Sequence, residues 1–441
     1  MAEAIKLFYR YGFAEKSLFK SCATCFYGLA ISAHMLAYTE NTVYATLMTA
    51  VQEGRSLPFF IDPMTYIFAR RIDNLRIDGE IKKSFKLLMA EYGPAIAACA
   101  SQGELKTDQF FDSNFSINDS LIQELVSHVL KFQRDKLNAF TTKSSVPKYA
   151  KILKKTPPTA SLSPSFLVAP YFYWGSLNDP YYTINLALSR AADANKGNMQ
   201  LYPVLCFSRE LLVDQNAMAQ VVKDYGRFDG YLIWVSGLEE ESTHHSYVLG
   251  LRWMIEKLSE YKKPIYSLYG GYLMLILSKF GLSGFSAGIC YGAYRDVDTP
   301  VSTGGFQERY YLPVIHLKKM ESNLRLSLSV SASNAGLLCD CDLCDSIKKK
   351  LAKSLPMPSK DYVDQFFNLL GSTKNGVREH FVRARYKEVS TIERETVQDL
   401  VARLKLEALQ IEKADPPPPL PPPFQNPLTS GHLRDWTRVL S

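Results

Sequence analysis

The sequence has no long apolar run. No stretch of ~18 residues is apolar and free of charge, so no transmembrane helix is expected. The first residues lack the ordered basic flank, apolar segment and cleavage site of a secretory leader, and no signal peptide is expected. Cysteine is sparse, with eight in 441 residues. Three of the eight crowd into residues 339–344, a distribution that fits a reducing cytoplasm. A strong excess of one charge is also missing: 51 Lys and Arg against 44 Asp and Glu leave +7. That balance permits a polyanionic partner without demanding one. Apolar residues are plentiful at 46%, which makes the chain globular. Its length exceeds one ordinary core unless the fold is a large barrel with additions.

Cys339-Asp-Cys341-Asp-Leu-Cys344 can bring three sulfurs to one cation if the backbone folds tightly around it. One imidazole then completes a tetrahedron. Soft sulfur with one nitrogen, all four positions filled, is the donor set of structural zinc. His380 and His316 are rivals for the fourth position. The plainer alternative is three small buried thiols, but the interleaved Asp340, Asp342 and Asp345 make a poor core segment. Cys22-Ala-Thr-Cys25 is a second group, with the C-x-x-C spacing of redox or metal sites. No further pair lies near it, and two core-facing or half-exposed thiols account for it as well.

Residues 1–50 read as helix, with a first strand at 26–32. Residues 57–63, LPFFIDP, form a short apolar run that exits at Asp62-Pro63. A carboxylate at the carboxyl end of a buried strand is where α/β enzymes place chemistry, although an Asp there also caps a following helix. Residues 64–150 are polar and helical, and Lys82, Lys83, Lys86, Lys131, Arg134, Lys136, Lys143 and Lys148 read as solvated faces. An exposed loop is expected at 141–164. Six more strand-length apolar runs then alternate with helical patterns, at 166–174, 201–208, 230–237, 264–271, 284–292 and 310–316. With 26–32 and 57–63 the count is eight. Continuous apolar strands alternating with helices predict a parallel sheet covered on both faces, and eight units predict a (β/α)8 TIM-type barrel with its site at the strand carboxyl ends. A doubly wound open sheet is the alternative.

The expected layout is a barrel over 1–320 with a helical insertion at about 64–150 after strand two. A zinc-binding and helical region follows over 321–413. Within it an alternating apolar stretch at 324–330 precedes the cysteines, and helices are expected at 360–370 and 377–412. The last segment, 414–441, is a Pro-rich spacer at 416–423 and a short helix carrying Trp436.

These residues resemble the guanine transglycosylases. The C-x-C-x-x-C after the last strand and the later HFVRARYKEVS, residues 380–390, are similar to that family's zinc segment, which selects His380. LPFFIDP resembles the strand ending in the family's first catalytic aspartate, so the resemblance implies that role for Asp62. DGYLIWVSGLEEES, residues 229–242, is similar to the strand end that holds the purine, which implies Ser236, Gly237 and Glu239. GFSAGICYGAYR, residues 284–295, lines up with the strand that ends in the nucleophile of the tRNA-modifying members. Here that position falls near Ile289, where no carboxylate stands, and Asp296 and Asp298 are the nearest acids. The tRNA enzymes follow their aspartate with Ser-Gly-Gly, whereas Pro63-Met64-Thr65 follow Asp62. The I-D-P-M-T form and the insertion look closer to the DNA-modifying, DpdA-like branch. The resemblance therefore implies exchange of guanine in DNA for a 7-deazaguanine (preQ0-type) base, with structural zinc. A tRNA-guanine transglycosylase and a degenerate zinc-containing nucleic-acid-binding subunit are the alternatives, with an unrelated barrel lyase or hydrolase behind them.

Such an exchange needs a carboxylate at the anomeric carbon, for which Asp62 is the candidate, and a second acid or base, Glu239 or Asp296. Gly237, Gly270 and Gly271 would let backbone amides approach a flat base. Tyr171, Tyr173, Trp174, Tyr269 and Tyr291 lie near strand ends and could stack on it. The expected partners are nucleic acid, DNA over tRNA, and the free base, with no membrane. A homodimer or partner proteins of a modification system stay open.

Overall fold

The computed structural model describes residues 4–12, 18, 22–25, 27–52, 57–70, 72–138, 162–289, 295–299, 309–353, 360–373, 375–417 and 426–441. The chain begins with a strand, β1 (Lys6–Arg10), whose three central residues are buried. β2 (Gly28–Ser32), α1 (Ala33–Gln52) and β3 (Phe59–Asp62) follow. After β3 come two 3-10 turns, a short antiparallel ribbon and three helices, α2 (Lys83–Glu91), α3 (Pro94–Gln102) and α4 (Asp119–Asp135). The chain then returns to strands, most of them followed by helix. They are β4 (Leu167–Val168), α5 (Pro180–Asn195), β5 (Leu201–Tyr202), β6 (Val204–Ser208), α6 (Gln215–Tyr225), β7 (Tyr231–Ser236), α7 (His245–Ser259), β8 (Ile265–Ser267), α8 (Tyr272–Leu277) and β9 (Gly284–Gly288).

Seven strands form one curled parallel sheet in the order β3-β2-β1-β9-β8-β7-β6. The strands are largely buried apolar segments, as a parallel sheet faced by helices on both sides requires. β4 and β5 make a parallel pair of their own. Pro203, which has no N–H to give, separates β5 from β6. On its other side β4 lies against β3, where the Ser165 N–H donates to the Phe59 carbonyl at 2.7 Å. β1 and β9 approach closely because Gly284 carries no Cβ: one built there would fall 2.1 Å from the Lys6 carbonyl oxygen.

The strand list differs from the expectation at both ends. KLFYR, read as helix, is β1 in the middle of the sheet, its burial hidden in the sequence by the flanking Lys6 and Arg10. Residues 310–316, read as the eighth strand, instead give β10 (Arg309–Leu312). It pairs antiparallel with β11 (Leu317–Met320) in a separate hairpin. The run 166–174 holds only two strand residues, because Pro170 interrupts it.

The carboxyl-terminal third is helical: α9 (Glu321–Leu328), α10 (Ala332–Ala335), α11 (Asp342–Leu351), α12 (Lys360–Ser372), α13 (Gly376–Arg394), α14 (Val397–Glu412) and α15 (Gly431–Leu440). The stretch expected to alternate at 324–330 is thus mostly helix. The single helix expected at 377–412 is two, broken at Glu395-Thr396. Thr396 caps α14: its Oγ1 accepts from the Asp399 N–H at 3.1 Å, and the Asp399 carboxylate accepts from the Thr396 N–H at 3.0 Å. α15 packs its buried Trp436 against the rest of the fold, and Arg252 of α7 donates to the Val439 carbonyl. Most of the expected loop at 141–164 and of the spacer at 416–423 lies outside the described residues, as do Lys143, Lys148 and Tyr291.

Candidate active site and metal centre

The candidate metal centre draws on a hairpin and two helices. Cys341 stands at the N-cap of α11 and Cys344 in its first turn, where the helix end favours anionic sulfur. Cys339 precedes them, and the Cys341 N–H donates to its sulfur at 3.2 Å. His380 comes from α13. Its Nε2 lies 2.6 Å from the Tyr311 carbonyl of β10, so Nε2–H donates there and Nδ1 faces the sulfurs. Nδ1 is 3.2 Å from the Cys344 sulfur and 3.5 Å from that of Cys341. The Tyr310 ring stacks flat on the imidazole at 4.2 Å. The four donor atoms lie within 4.8 Å of one another and all four residues are buried. The cluster could hold a metal ion, and a donor set of three sulfurs and one imidazole nitrogen fits zinc.

The electrostatics agree with that fit. Hydrogen bonds to Cys341 and Cys344 push the Cys339 thiol far up, while the hydrogen bond from Cys339 pulls Cys341 far down. Burial lowers the His380 pKa, but Cys344 and Cys341 outweigh it and carry it to about 10. Metal binding at such a site displaces protons, because thiolate sulfur and neutral imidazole nitrogen are the ligating forms. His316, the rival ligand, lies elsewhere. Its Nδ1 is 2.7 Å from Glu388 and its Nε2 2.9 Å from Glu407, and its ring stacks on Tyr272.

Asp62 ends β3 and is fully buried. Its Oδ2 accepts from Arg10 Nη2 at 2.9 Å. Its Oδ1 accepts from the Tyr171 hydroxyl at 2.8 Å and the Met64 N–H at 3.1 Å. Arg10 ends β1, so two nearby strands of the sheet contribute opposite charges at the same end. Arg10 also donates to the Leu268 carbonyl at 3.1 Å and lies 4.0 Å from the centre of the Tyr269 ring. Burial works against the Arg10 charge, but Tyr269 and Asp62 more than compensate, and its pKa stands above the ordinary value. Around the pair stand Tyr66, Tyr171, Trp234 and Tyr269, with Tyr66 edge-on to Trp234 at 4.7 Å and Trp234 4.8 Å from Tyr269. Arg295 reaches the Tyr269 hydroxyl at 3.4 Å, and its carbonyl accepts from Trp234 Nε1 at 2.8 Å. His34 is kept neutral, pushed down to about 3 by burial and by the nearby Arg295 and Arg10. The insertion braces this end. Tyr92 donates to the Pro63 carbonyl at 2.9 Å, and Phe85 stacks on His34.

The other expected site residues divide. Ser236, Gly237 and Asp296 come together. The Ser236 hydroxyl accepts from the Val297 N–H at 3.0 Å, and the Gly237 carbonyl accepts from Arg209 at 2.9 Å. A Cβ on Gly237 would fall 3.8 Å from Asp296 Oδ2. The Gly237 φ of 77° is left-handed, which favours glycine. Glu239 does not join them. It is half-buried and accepts from Ser242 Oγ at 2.7 Å within its own turn. Its neighbour Glu240 is the acid that faces inward, buried and accepting from the Gly271 N–H at 2.6 Å and the Leu273 N–H at 3.3 Å. Burial raises the Glu240 pKa, against the pull of Arg385 and those backbone donors. The Gly271 amide is therefore engaged, and the Gly270 amide donates to the Ser286 carbonyl at 3.0 Å, so neither is directed at a bound base. Tyr171 and Tyr269 flank the pair, Tyr173 lies under Arg70, and Trp174 is core packing against Tyr182 and Phe207. Arg10, Tyr66, Trp234, Arg295 and Glu240 were not singled out from the sequence. Arg10 carried a usable signal, a charge closing an apolar run just as Asp62 does.

No family model matches this chain, and no curated protein does. Among solved structures it is similar to TsXylA, an intracellular xylanase from Thermoanaerobacterium saccharolyticum JW/SL-YS485. The identity is 10%, over 66% of this chain and 92% of that one, with a TM-score of 0.27. A likeness so slight carries no argument about fold or activity.

Proposed function

We propose that this chain exchanges bases in DNA, releasing guanine and installing a 7-deazaguanine of the preQ0 type, with Asp62 as the carboxylate that attacks or shields the anomeric carbon. The observation that carries the proposal is the position of Asp62. It is buried at the carboxyl end of a parallel strand and oriented by Arg10 and Tyr171, in a chain that also carries the Cys339, Cys341, Cys344 and His380 cluster. The parallel segments are best explained as a closed (β/α)8 barrel, with β4 filling the place between β3 and β5; the Ser165–Phe59 hydrogen bond and the β4–β5 pairing support that closure. The cluster would hold zinc as a structural ion and supply no step of the reaction.

In this scheme the target nucleotide leaves its stack and its base enters among Tyr66, Tyr171, Trp234 and Tyr269. Arg10 and the Tyr171 hydroxyl keep Asp62 aimed toward C1′ as the purine leaves. Asp296, beside Ser236 and Gly237, is the acid or base for the purine. Glu239 is dropped from that role because it caps its own turn. The cytoplasm is the expected compartment.

A second reading is favoured by the completeness of the Arg10–Asp62 pair. Every Asp62 oxygen is already engaged, and the strand end at Ile289 is tied down by Lys318, which donates to the Gly288 and Ile289 carbonyls at 2.5 and 2.8 Å. A barrel of this kind could bind nucleic acid without turnover. The test is exchange of radiolabelled guanine or preQ0 into duplex DNA and, in parallel, tRNA. Incorporation into DNA that falls ~10²-fold or more in Asp62→Asn supports the proposal. Incorporation into tRNA alone moves the substrate. Nucleic-acid binding with no incorporation into either favours the binding subunit.

A further inference from the structure

The geometry points to Cys22 and Cys25 as a redox-active dithiol that is oxidised by a low-molecular-weight disulfide. The pair lies on one 3-10 turn (Ala23–Cys25), where the Cys25 N–H donates to the Cys22 carbonyl at 2.8 Å. In a 3-10 turn side chains three residues apart eclipse one another, so this turn sets the two thiols on the same face. The turn packs on α13 beside Arg383, a guanidinium held by Glu379 at 2.8 Å and lying 4.0 Å from Asp342. A cation beside two thiols stabilises thiolate, the form that attacks disulfides.

The thiols of this chain are not alike. The hydrogen bond from Cys22 lowers Cys25 to about 7, with Thr24 and Arg383 assisting against burial. Burial instead raises Cys99 to about 11 and raises Cys206 well above the ordinary value. Cys25 is also the less enclosed of its pair, at 7% exposure against 1% for Cys22. That order assigns the roles. The Cys25 thiolate attacks one sulfur of the disulfide and releases one thiolate, leaving a mixed disulfide at Cys25. Cys22 then loses its proton and attacks the Cys25 sulfur, expelling the second thiolate. The sum is one dithiol and one disulfide giving an intramolecular disulfide and two thiols. No metal or further oxidant enters.

The experiment uses the full, metal-loaded chain and glutathione disulfide. Lys20 and Arg55 bound a tryptic peptide, residues 21–55, that contains Cys22 and Cys25 and no other cysteine. After equilibration, denaturation and alkylation, that peptide should lose both alkylation sites and two hydrogens, while Cys99 and Cys206 stay fully alkylatable and metal content is unchanged. Cys22→Ser should trap a glutathione adduct at Cys25. Full alkylation of peptide 21–55 in the wild-type chain overturns the proposal, as does oxidation of that peptide only in molecules that have lost their metal. If Cys22→Ser does not fold, the wild-type peptide decides alone.

Discussion

Asp62 and Arg10 make each other tolerable. A fully buried carboxylate is costly without a partner, and here it has a guanidinium at 2.9 Å, a phenol and a backbone amide. Removing one charge should therefore cost more than removing both. Arg10→Leu should lower stability by about 3–5 kcal/mol, read from urea midpoints, and the double variant with Asp62→Asn should recover a large part of it. A loss in the double variant equal to the sum of the singles would show that the two do not act as a pair. His316 makes a different kind of charge statement. Burial lowers its pKa, but Glu407 and Glu388 outweigh burial, so the folded value lies above the unfolded ~6.5. A raised pKa contributes stability that is complete below about pH 6.5 and is lost as pH climbs through the folded value, roughly 1.4 kcal/mol for each unit of elevation. Stability should thus fall from near-neutral into alkaline pH, and His316→Gln should flatten that slope. An equal slope in the variant would remove His316 as its source.

At the scale of elements, the candidate metal centre joins α11 to α13. α11 has an acidic first turn with Asp342 and Asp345 and ends in Lys348, Lys349 and Lys350, so its charges suit its dipole. Yet it is short, and Cys341 and Cys344 tie it to His380 on α13. Structural zinc contributes on the order of 10 kcal/mol to folding of such a unit. Cys341→Ser should lose stoichiometric metal and give insoluble or partly unfolded protein, checked by elemental analysis and far-UV circular dichroism. Soluble protein with wild-type zinc content would sink the ligand assignment.

The whole molecule joins a curled parallel sheet to this helical region through a charged interface. Lys279 donates to the Ile392 and Glu395 carbonyls, Lys318 stacks 3.6 Å over Phe381, and Arg385 lies buried between the two parts. The net charge is +7, and Lys349, Lys350, Lys353 and Lys387 stand exposed around the metal centre. The proposed exchange on DNA predicts salt-sensitive binding to a duplex, each neutralised phosphate adding roughly 0.9 to the log–log slope. Fluorescence anisotropy with a labelled duplex in dilute and physiological salt measures it. Asp62→Asn should leave that slope unchanged, and a salt-independent constant would remove the phosphate-driven component.

The sequence by itself determined what depends on near neighbours. Three cysteines within residues 339–344 announce a shared centre, because a tight turn is enough to gather them. Buried parallel strands alternating with helices are visible because each strand is apolar on both faces, and Asp62 stands out as the carboxylate that closes one of them. Tertiary structure decided whatever required a partner far along the chain. Arg10 is 52 residues from Asp62, and nothing local says that β1 lies inside the sheet. Among Glu239, Glu240 and Glu241, only Glu240 turns inward, because Gly237 at φ 77° breaks the strand's alternation just before them. His380 and His316 are both buried, and their surroundings separate them: one faces sulfur, the other two carboxylates. Periodicity reports which face is buried, whereas pairing across the sheet is set by contacts that a linear pattern does not encode.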